Sequence, residues 1–342
     1  MTKDIPVGAG AGLVAALLFG VLLKATTLAI LLYLLAPLPI LIVGLGWSHR
    51  GALAAVVSGA LALALFVSPY LGLAFAAYLA LPAWWLAYLA VLGRTGPDGG
   101  IEWYPTGRLL AWVAGTAALA FVAIAVIASP DYDTFRSQLS AMSRRVVQVQ
   151  VQRGRIPAPP QSGTAGEGTA NTTDKPTETA PQAGGAEKSD DLASEVADAL
   201  ATVAPALAAQ GLTILFTFYL WAAARIVQIS GRLLRPWPDL PSTMMPRAAL
   251  LVLAGAFAFS LLSGYAGVLG IALMGAFSAA FALQGLAAFH DRSRGRPGRF
   301  ALLAGLYVLL FLTQGVAMLA LILFGIADTV LDRRRPRASG SA

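Results

Sequence analysis

The sequence predicts an all-α fold, a polytopic transmembrane helix bundle of about nine spans, with eight to ten compatible with the pattern. Three observations predict it. Hydrophobic residues make up 57% of the chain and charged residues only 12%, against roughly 45–50% and about 25% in ordinary globular domains. Too few charges remain to coat a surface that faces water, and the mean hydropathy of +0.71 agrees. The apolar residues also gather into runs of the length that a helix needs to cross a hydrocarbon core, about 20 residues at ~1.5 Å each. Finally, these runs are apolar around their whole circumference, as helices facing lipid or a bundle interior must be.

The runs are Gly8–Ala25, Leu28–Trp47, Gly51–Ser68, Leu71–Leu92, Leu109–Ala128, Leu207–Ile229, Arg247–Ser263, Ala266–His290 and Phe300–Ile326. The first follows Lys3 and resembles a secretory signal, but apolar character resumes directly after Thr27, so it reads as an uncleaved span. Ser68-Pro69-Tyr70 and Ser263-Gly264-Tyr265 supply tight reversals, and Gly93–Gly100 is a polar, glycine-rich loop. Tryptophans collect near segment ends, where interfacial belts form. The last run is long and broken near its middle by Thr313-Gln314-Gly315. It reads either as one tilted helix or as a re-entrant hairpin.

Two stretches interrupt the pattern. Tyr132, Phe135, Leu139, Met142, Val146 and Val149 recur three or four apart, with polar residues between them. This predicts an amphipathic helix over 131–155, either lying at the headgroups or packed on the bundle. Residues 156–190 are rich in Pro, Gly, Thr and Ala with almost no bulky apolar side chain, which predicts a disordered linker. The organisation that follows is a five-span half over 1–130, the amphipathic helix, the linker, a four-span half over 191–332 and a basic, flexible tail over 333–342.

The net charge is +7. Its arginines sit in short loops beside apolar runs, without the interleaved aromatics of a nucleic-acid surface, so the expected neighbour is a lipid bilayer and no nucleic acid is expected. With the N-terminus in the cytoplasm, the loops after even-numbered spans carry Arg50, Arg94, Arg108, Arg232, Arg235 and Arg292–Arg299, and the linker lies outside. Nine spans then strand Arg333–Arg337 on the wrong side, a conflict that a terminal hairpin would remove.

Catalytic chemistry is not visible. There is no cysteine and there are two histidines far apart, so a metal site is not expected, and no cofactor motif, nucleotide fingerprint or acid–base pair stands out. The polar groups within spans are the candidates for ligand contact or for hydrogen bonds between helices: Gln284, Gln314, Thr313, Thr116 and Ser278, with Ser260. Gln284 is the foremost, in a helix kept slim by Gly267, Gly270, Gly275, Ala279 and Gly285. Pro37 and Pro39 kink the second span and free backbone carbonyls there. Asp328 stands just before Arg333 and Arg334 and is expected to anchor the tail.

The segments Pro37–Trp47, Leu81–Leu86, Ser230–Leu240, Leu283–Ala287, Gly325–Asp328 and Asp332–Arg334, in this order, resemble the YybS-like family of predicted bacterial membrane proteins. The resemblance covers nearly the whole chain outside the linker. That family has no established activity; its first helices are similar in pattern to the substrate-binding S components of energy-coupling-factor transporters. The resemblance therefore implies a bacterial inner-membrane protein that binds a small solute, lacks its own energy source and works with membrane partner subunits. A membrane scaffold, acting through the linker, is the alternative.

Overall fold

The computed structural model describes residues 4–24, 26–152, 184–313, 315–332 and 334. The first segments are α1 (Asp4–Gly20), α2 (Thr27–Leu35), α3 (Leu38–Gly46), α4 (His49–Phe66), α5 (Pro69–Phe75) and α6 (Leu81–Ala90). Thr26, Ser48 and Ser68 cap α2, α4 and α5 by accepting a backbone N–H with the side-chain oxygen, which satisfies one of the orphan donors of each first turn. The second span is broken between α2 and α3 at Ala36-Pro37, since a proline inside a helix removes one hydrogen bond and clashes with the preceding turn. A π turn over Ala76–Ala80 joins α5 to α6. Pro82 follows directly, and widening the helix before it accommodates the missing N–H.

The glycine-rich loop forms a small antiparallel ribbon of β1 (Gly93–Thr95) and β2 (Ile101–Trp103), with Arg94 opposite Glu102. Then come α7 (Thr106–Ala128), α8 (Tyr132–Gln152), α9 (Gly184–Ile229), α10 (Ala248–Ser260), α11 (Gly264–Arg292), α12 (Arg299–Thr313) and α13 (Gly315–Leu331). Among the described residues seven segments are long and apolar enough to cross a membrane: Asp4–Lys24, Thr27–Gly46, His49–Phe66, Pro69–Ala90, Thr106–Ala128, Ser194–Ile229 and Gly264–Arg292. α10, α12 and α13 are shorter apolar helices of 13, 15 and 17 residues. The all-α, polytopic class is therefore borne out.

Two sequence expectations change and one pair of alternatives is decided. Of one tilted helix and a hairpin, the ninth run takes the second form: it is two helices. Arg292 ends α11 just before α12 begins, and Asp328 near the end of α13 lies 3.4 Å from the Arg292 guanidinium. α12 thus runs out and α13 returns, which brings Arg334 to the same end as Arg292. Gly184–Asp190, at the end of the predicted linker, are the first turns of α9; Ala186, Glu187 and Lys188 are good helix formers and extend the amphipathic run that starts at Leu192. The basic tail is not wholly flexible, because Arg334 is bound (below). The remainder of the linker and residues 335–342 lie outside the described residues.

The chain forms two compact units, Met1–Ala128 with Pro205–Ala342, and Ser129–Ala204. The two predicted membrane halves thus share one body. Within it α1 packs along α4, and α11 packs against α7, α10 and α13. Small residues set these approaches. A Cβ on Gly8 would lie 2.0 Å from the Gly51 carbonyl oxygen, and one on Gly12 would lie 2.1 Å from that of Ala55. Similarly, a Cβ on Gly275 would meet the Ala206 carbonyl oxygen at 2.0 Å and one on Gly285 that of Leu321 at 2.1 Å. Such backbone-to-backbone packing is how helices associate where no hydrophobic force drives them together. In the second unit α8 turns Ser143 and Val147 inward and leaves Met142, Val146 and Val149 exposed.

Candidate functional site

The segment between α9 and α10, Ser230 to Arg247, contains four prolines after Leu234 and cannot continue a helix. It forms an irregular strap instead, with one 3-10 turn at Leu240–Ser242. An irregular chain leaves backbone donors and acceptors to satisfy and must be pinned by its neighbours. The Arg232 guanidinium stacks 4.5 Å from the Trp47 ring, and that of Arg225 lies 4.8 Å from the Trp237 ring. Arg235 Nη1 donates to the Ala90 carbonyl at 3.1 Å. Asp239 pairs with Arg294, and Thr243 Oγ1 donates to Thr106 Oγ1 at 3.3 Å.

The strap's far end is locked by a buried polar cluster. Gln284, 0% exposed, accepts the Met245 N–H at Oε1 (3.0 Å) and donates through Nε2 to Thr329 Oγ1 (2.9 Å) and Asp328 Oδ2 (3.0 Å). The Asp328 carboxylate is 0% exposed and the Arg334 side chain 9%. Arg334 Nε sits 3.0 Å and 3.1 Å from the two carboxylate oxygens. Its other nitrogens donate to the carbonyls of Pro241 (2.8 Å) and Thr243 (3.1 Å), and Asp291 lies 3.6 Å away. One guanidinium thus ties α13, α11 and the strap together. Gly285 and Gly325 make this possible, because the two helices touch there and Gln284 reaches Thr329 directly.

Beside this lock lies a cavity of about 610 Å³, within the usual ~300–1,000 Å³ of small-molecule sites. Its walls come from α3 (Leu45), α6 (Ala90), α7 (Leu109, Val113), α9 (Thr217, Phe218, Trp221) and α11 (Leu283, Leu286, Ala287), and the strap closes it with Leu233, Arg235, Trp237, Pro241 and Thr243. The lining is overwhelmingly apolar. Its polar groups are mostly occupied: Thr217 donates to the Thr213 carbonyl, Thr243 donates to Thr106, and the His290 ring contacts the Leu286 carbonyl and the Tyr307 hydroxyl. Burial pushes the Arg235 guanidinium below its ordinary pKa. Asp239, outside the cavity, is held below the usual carboxylate range by its hydrogen bond from Arg294.

The sequence candidates separate clearly. Gln284 sits in the lock, not in the cavity, and makes hydrogen bonds between helices. Thr116 and Ser278 are half-buried in α7 and α11 and do not line the cavity. Thr313 bonds to the Leu309 carbonyl of its own helix. Gln314 lies outside the described residues. Pro37 and Pro39 kink the second span away from the cavity, which takes only Leu45 from α3. No group of three or more His, Asp or Glu residues suited to a metal occurs among the described residues. The residues missed by the sequence reading are Arg235, Trp237 and His290. The signal was Arg-Pro-Trp-Pro at 235–238: prolines forbid helix there and hold an arginine on irregular chain between spans.

Residues 169–329 match the model of a family described as Predicted membrane protein (DUF2232). This stretch takes in the strap, Gln284 and Asp328. It is similar to a predicted membrane protein family over this region, which is shorter than the near-complete resemblance read from the motifs. No curated protein and no solved structure matches the chain.

Proposed function

We propose that this is a membrane-embedded binding component for a small, largely apolar solute, of transport type and without its own energy source. The cavity carries this reading: it is lined by five helices and the strap, overwhelmingly apolar, and sized for a small molecule. The absence of a nucleotide motif from the sequence favours partner subunits as the source of energy. The reading places no catalysis in the chain. It is tested by purifying the protein in detergent and scanning a panel of lipophilic metabolites for thermal stabilisation, alongside Ala287→Phe, which fills the cavity. Ligands that stabilise the wild type and not the variant support it; no stabilisation by any, with no coupling subunit on copurification, sinks it.

We also propose a bacterial inner-membrane location, with the N-terminus and arginine loops in the cytoplasm and the linker outside. Contacts support one shared end for these loops: Arg232 meets Trp47, Arg235 meets Ala90, and Arg294 meets Asp239. Single cysteines at Ser162, Arg296 and Ser339 in the cysteine-free chain test it. An impermeant thiol reagent on spheroplasts should label 162 and spare 296 and 339. Labelling of 296 or 339 but not 162 reverses the orientation.

A scaffold role is a second reading. In the second unit Met142, Val146 and Val149 are 64%, 49% and 43% exposed, an apolar stripe available to a membrane or partner. Deleting residues 156–190 separates the two: a phenotype lost with the linker favours the scaffold, and one retained removes it.

A further inference from the structure

The cavity lining has one charged group, Arg235, that no carboxylate among the described residues neutralises. Arg294 pairs with Asp239, Arg334 with Asp328 and Asp291, Arg292 with Asp328, Arg247 with Asp332, and Arg94 with Glu102. Arg225 and Arg232 lie over tryptophans. Arg235, by contrast, has no carboxylate within ion-pair distance among the described residues, and its one hydrogen bond is from Nη1 to the Ala90 carbonyl. A guanidinium has five N–H donors, and the Arg235 side chain is part of the cavity lining, so most of its donors lack a partner among the described residues. It is half-buried, where a lone charge is costly and a partner anion is worth more than in water.

The site is also preformed. Arg235 and Trp237 each precede a proline, which restricts them to extended backbone, so little ordering is needed to present the guanidinium. The walls include Leu109, Val113, Phe218, Trp221 and Leu283, which offer nothing to a polar body. One fixed cation at the strap and apolar walls beyond it describe an elongated ligand with an anionic head.

We propose that the occupant is a single-chain anionic amphiphile, a carboxylate or monophosphate, with its head on Arg235 and its chain along α7 and α9. The assignment rests on the cavity being a solute site. At about 610 Å³ the space does not enclose a two-chain phospholipid. An Arg–carboxylate or Arg–phosphate pair fits because the planar fork matches either anion.

The test is binding of a fluorescent polyene fatty acid, and its displacement by a single-chain carboxylate, the matching monophosphate and the methyl ester, with the protein in nanodiscs of zwitterionic lipid. The wild type should prefer either anion to the ester. Arg235→Gln should weaken anion binding about ten- to a hundredfold, the scale of a charge-assisted hydrogen bond, and leave the ester unchanged. Retained ester binding shows the variant is folded; should it not fold, the wild type's own preference decides. Carboxylate over monophosphate, or the reverse, identifies the head. Equal affinity for anion and ester overturns the proposal while leaving the cavity reading intact. Binding that survives Ala287→Phe, or no binding of anion and ester alike, overturns both.

Discussion

Two glycine-mediated helix contacts lie in the same body and end differently. Along α1 and α4, Gly8, Gly12 and Gly59 bring backbones together, and the contact is almost wholly apolar, with Ser58 donating to the Ala9 carbonyl across it. Along α11 and α13, Gly285 and Gly325 do the same, but the approach delivers Gln284 to Thr329 and Asp328 and, through Arg334, to the strap. The first contact only packs. The second turns close packing into a polar lock that holds irregular backbone over a cavity. Glycine is thus a distance setter, and what the neighbouring side chains carry decides whether the distance serves stability alone.

The largest expected effect breaks the lock. Asp328→Ala strands two guanidiniums, and Arg334→Ala strands a buried carboxylate and two strap carbonyls. Removing one partner of a buried pair costs about 3–5 kcal/mol, so either variant should unfold well below wild type in a detergent denaturation series. The double variant should cost less than the two singles added, because they share one network. Losses no greater than those of an α1–α4 glycine variant would erase the distinction between the regions.

Much of this contrast was legible in the sequence, and part of it was not. The spans, their reversals at Ser68-Pro69 and Ser263-Gly264, and the slim face of α11 follow from local chemistry, which one window of residues contains. Asp328 as an anchor for the terminal arginines was also readable, since charge beside charge at a span end has few other uses. The hairpin of α12 and α13 was readable only as one of two options, because an apolar run records length and not direction; the return is fixed by Arg292 and Arg334 meeting Asp328. Nor could the sequence separate Arg235 from the arginines around it. All obey the same loop bias, and that Arg235 lines the cavity and meets the Ala90 carbonyl depends on residues more than a hundred positions apart.

Glycine substitutions sharpen the comparison at the next scale. Gly8→Ala and Gly285→Ala each force a methyl group to within about 2 Å of a carbonyl oxygen, an overpacking worth about 1–3 kcal/mol. Gly285→Ala should in addition weaken binding of the displaceable fatty-acid probe, because the strap loosens; Gly8→Ala should not. Gly10→Ala, which meets nothing within 4 Å, should match wild type in both assays. Equal binding losses from Gly8→Ala would mean that the cavity responds to the bundle as a whole.

Gln284→Leu comes next. It keeps the volume but removes the acceptor of the buried Met245 N–H and the donor to the buried Asp328 carboxylate. The cost of an unsatisfied group is about 1–3 kcal/mol, whereas hydrogen bonds between membrane helices average only ~0.6 kcal/mol; a loss near 1 kcal/mol is expected. Thr116→Val and Ser278→Ala, outside both lock and cavity, serve as comparators and should change the midpoint less than Gln284→Leu does.

The smallest effect belongs to an exposed ion pair of the strap, Asp239 with Arg294. Asp239 and Arg294 form the same chemical pair as Asp328 and Arg334, between the same strap and the end of α11, but both are exposed to solvent. Exposed pairs gain little, because water screens the attraction and two side chains must be held still. Arg294 holds the Asp239 carboxyl below its ordinary range, so the sign is fixed. A lowered folded-state pKa gives stability that is present above the ordinary carboxylate pKa and is lost as pH falls through the lowered value. Asp239→Asn should therefore shift the unfolding midpoint slightly and equally at pH 7 and pH 6, and the difference should fade in strong acid and in high salt. A loss comparable to that of Asp328→Ala, or one unaffected by salt, would show that the strap depends on its exposed edge as much as on its buried lock.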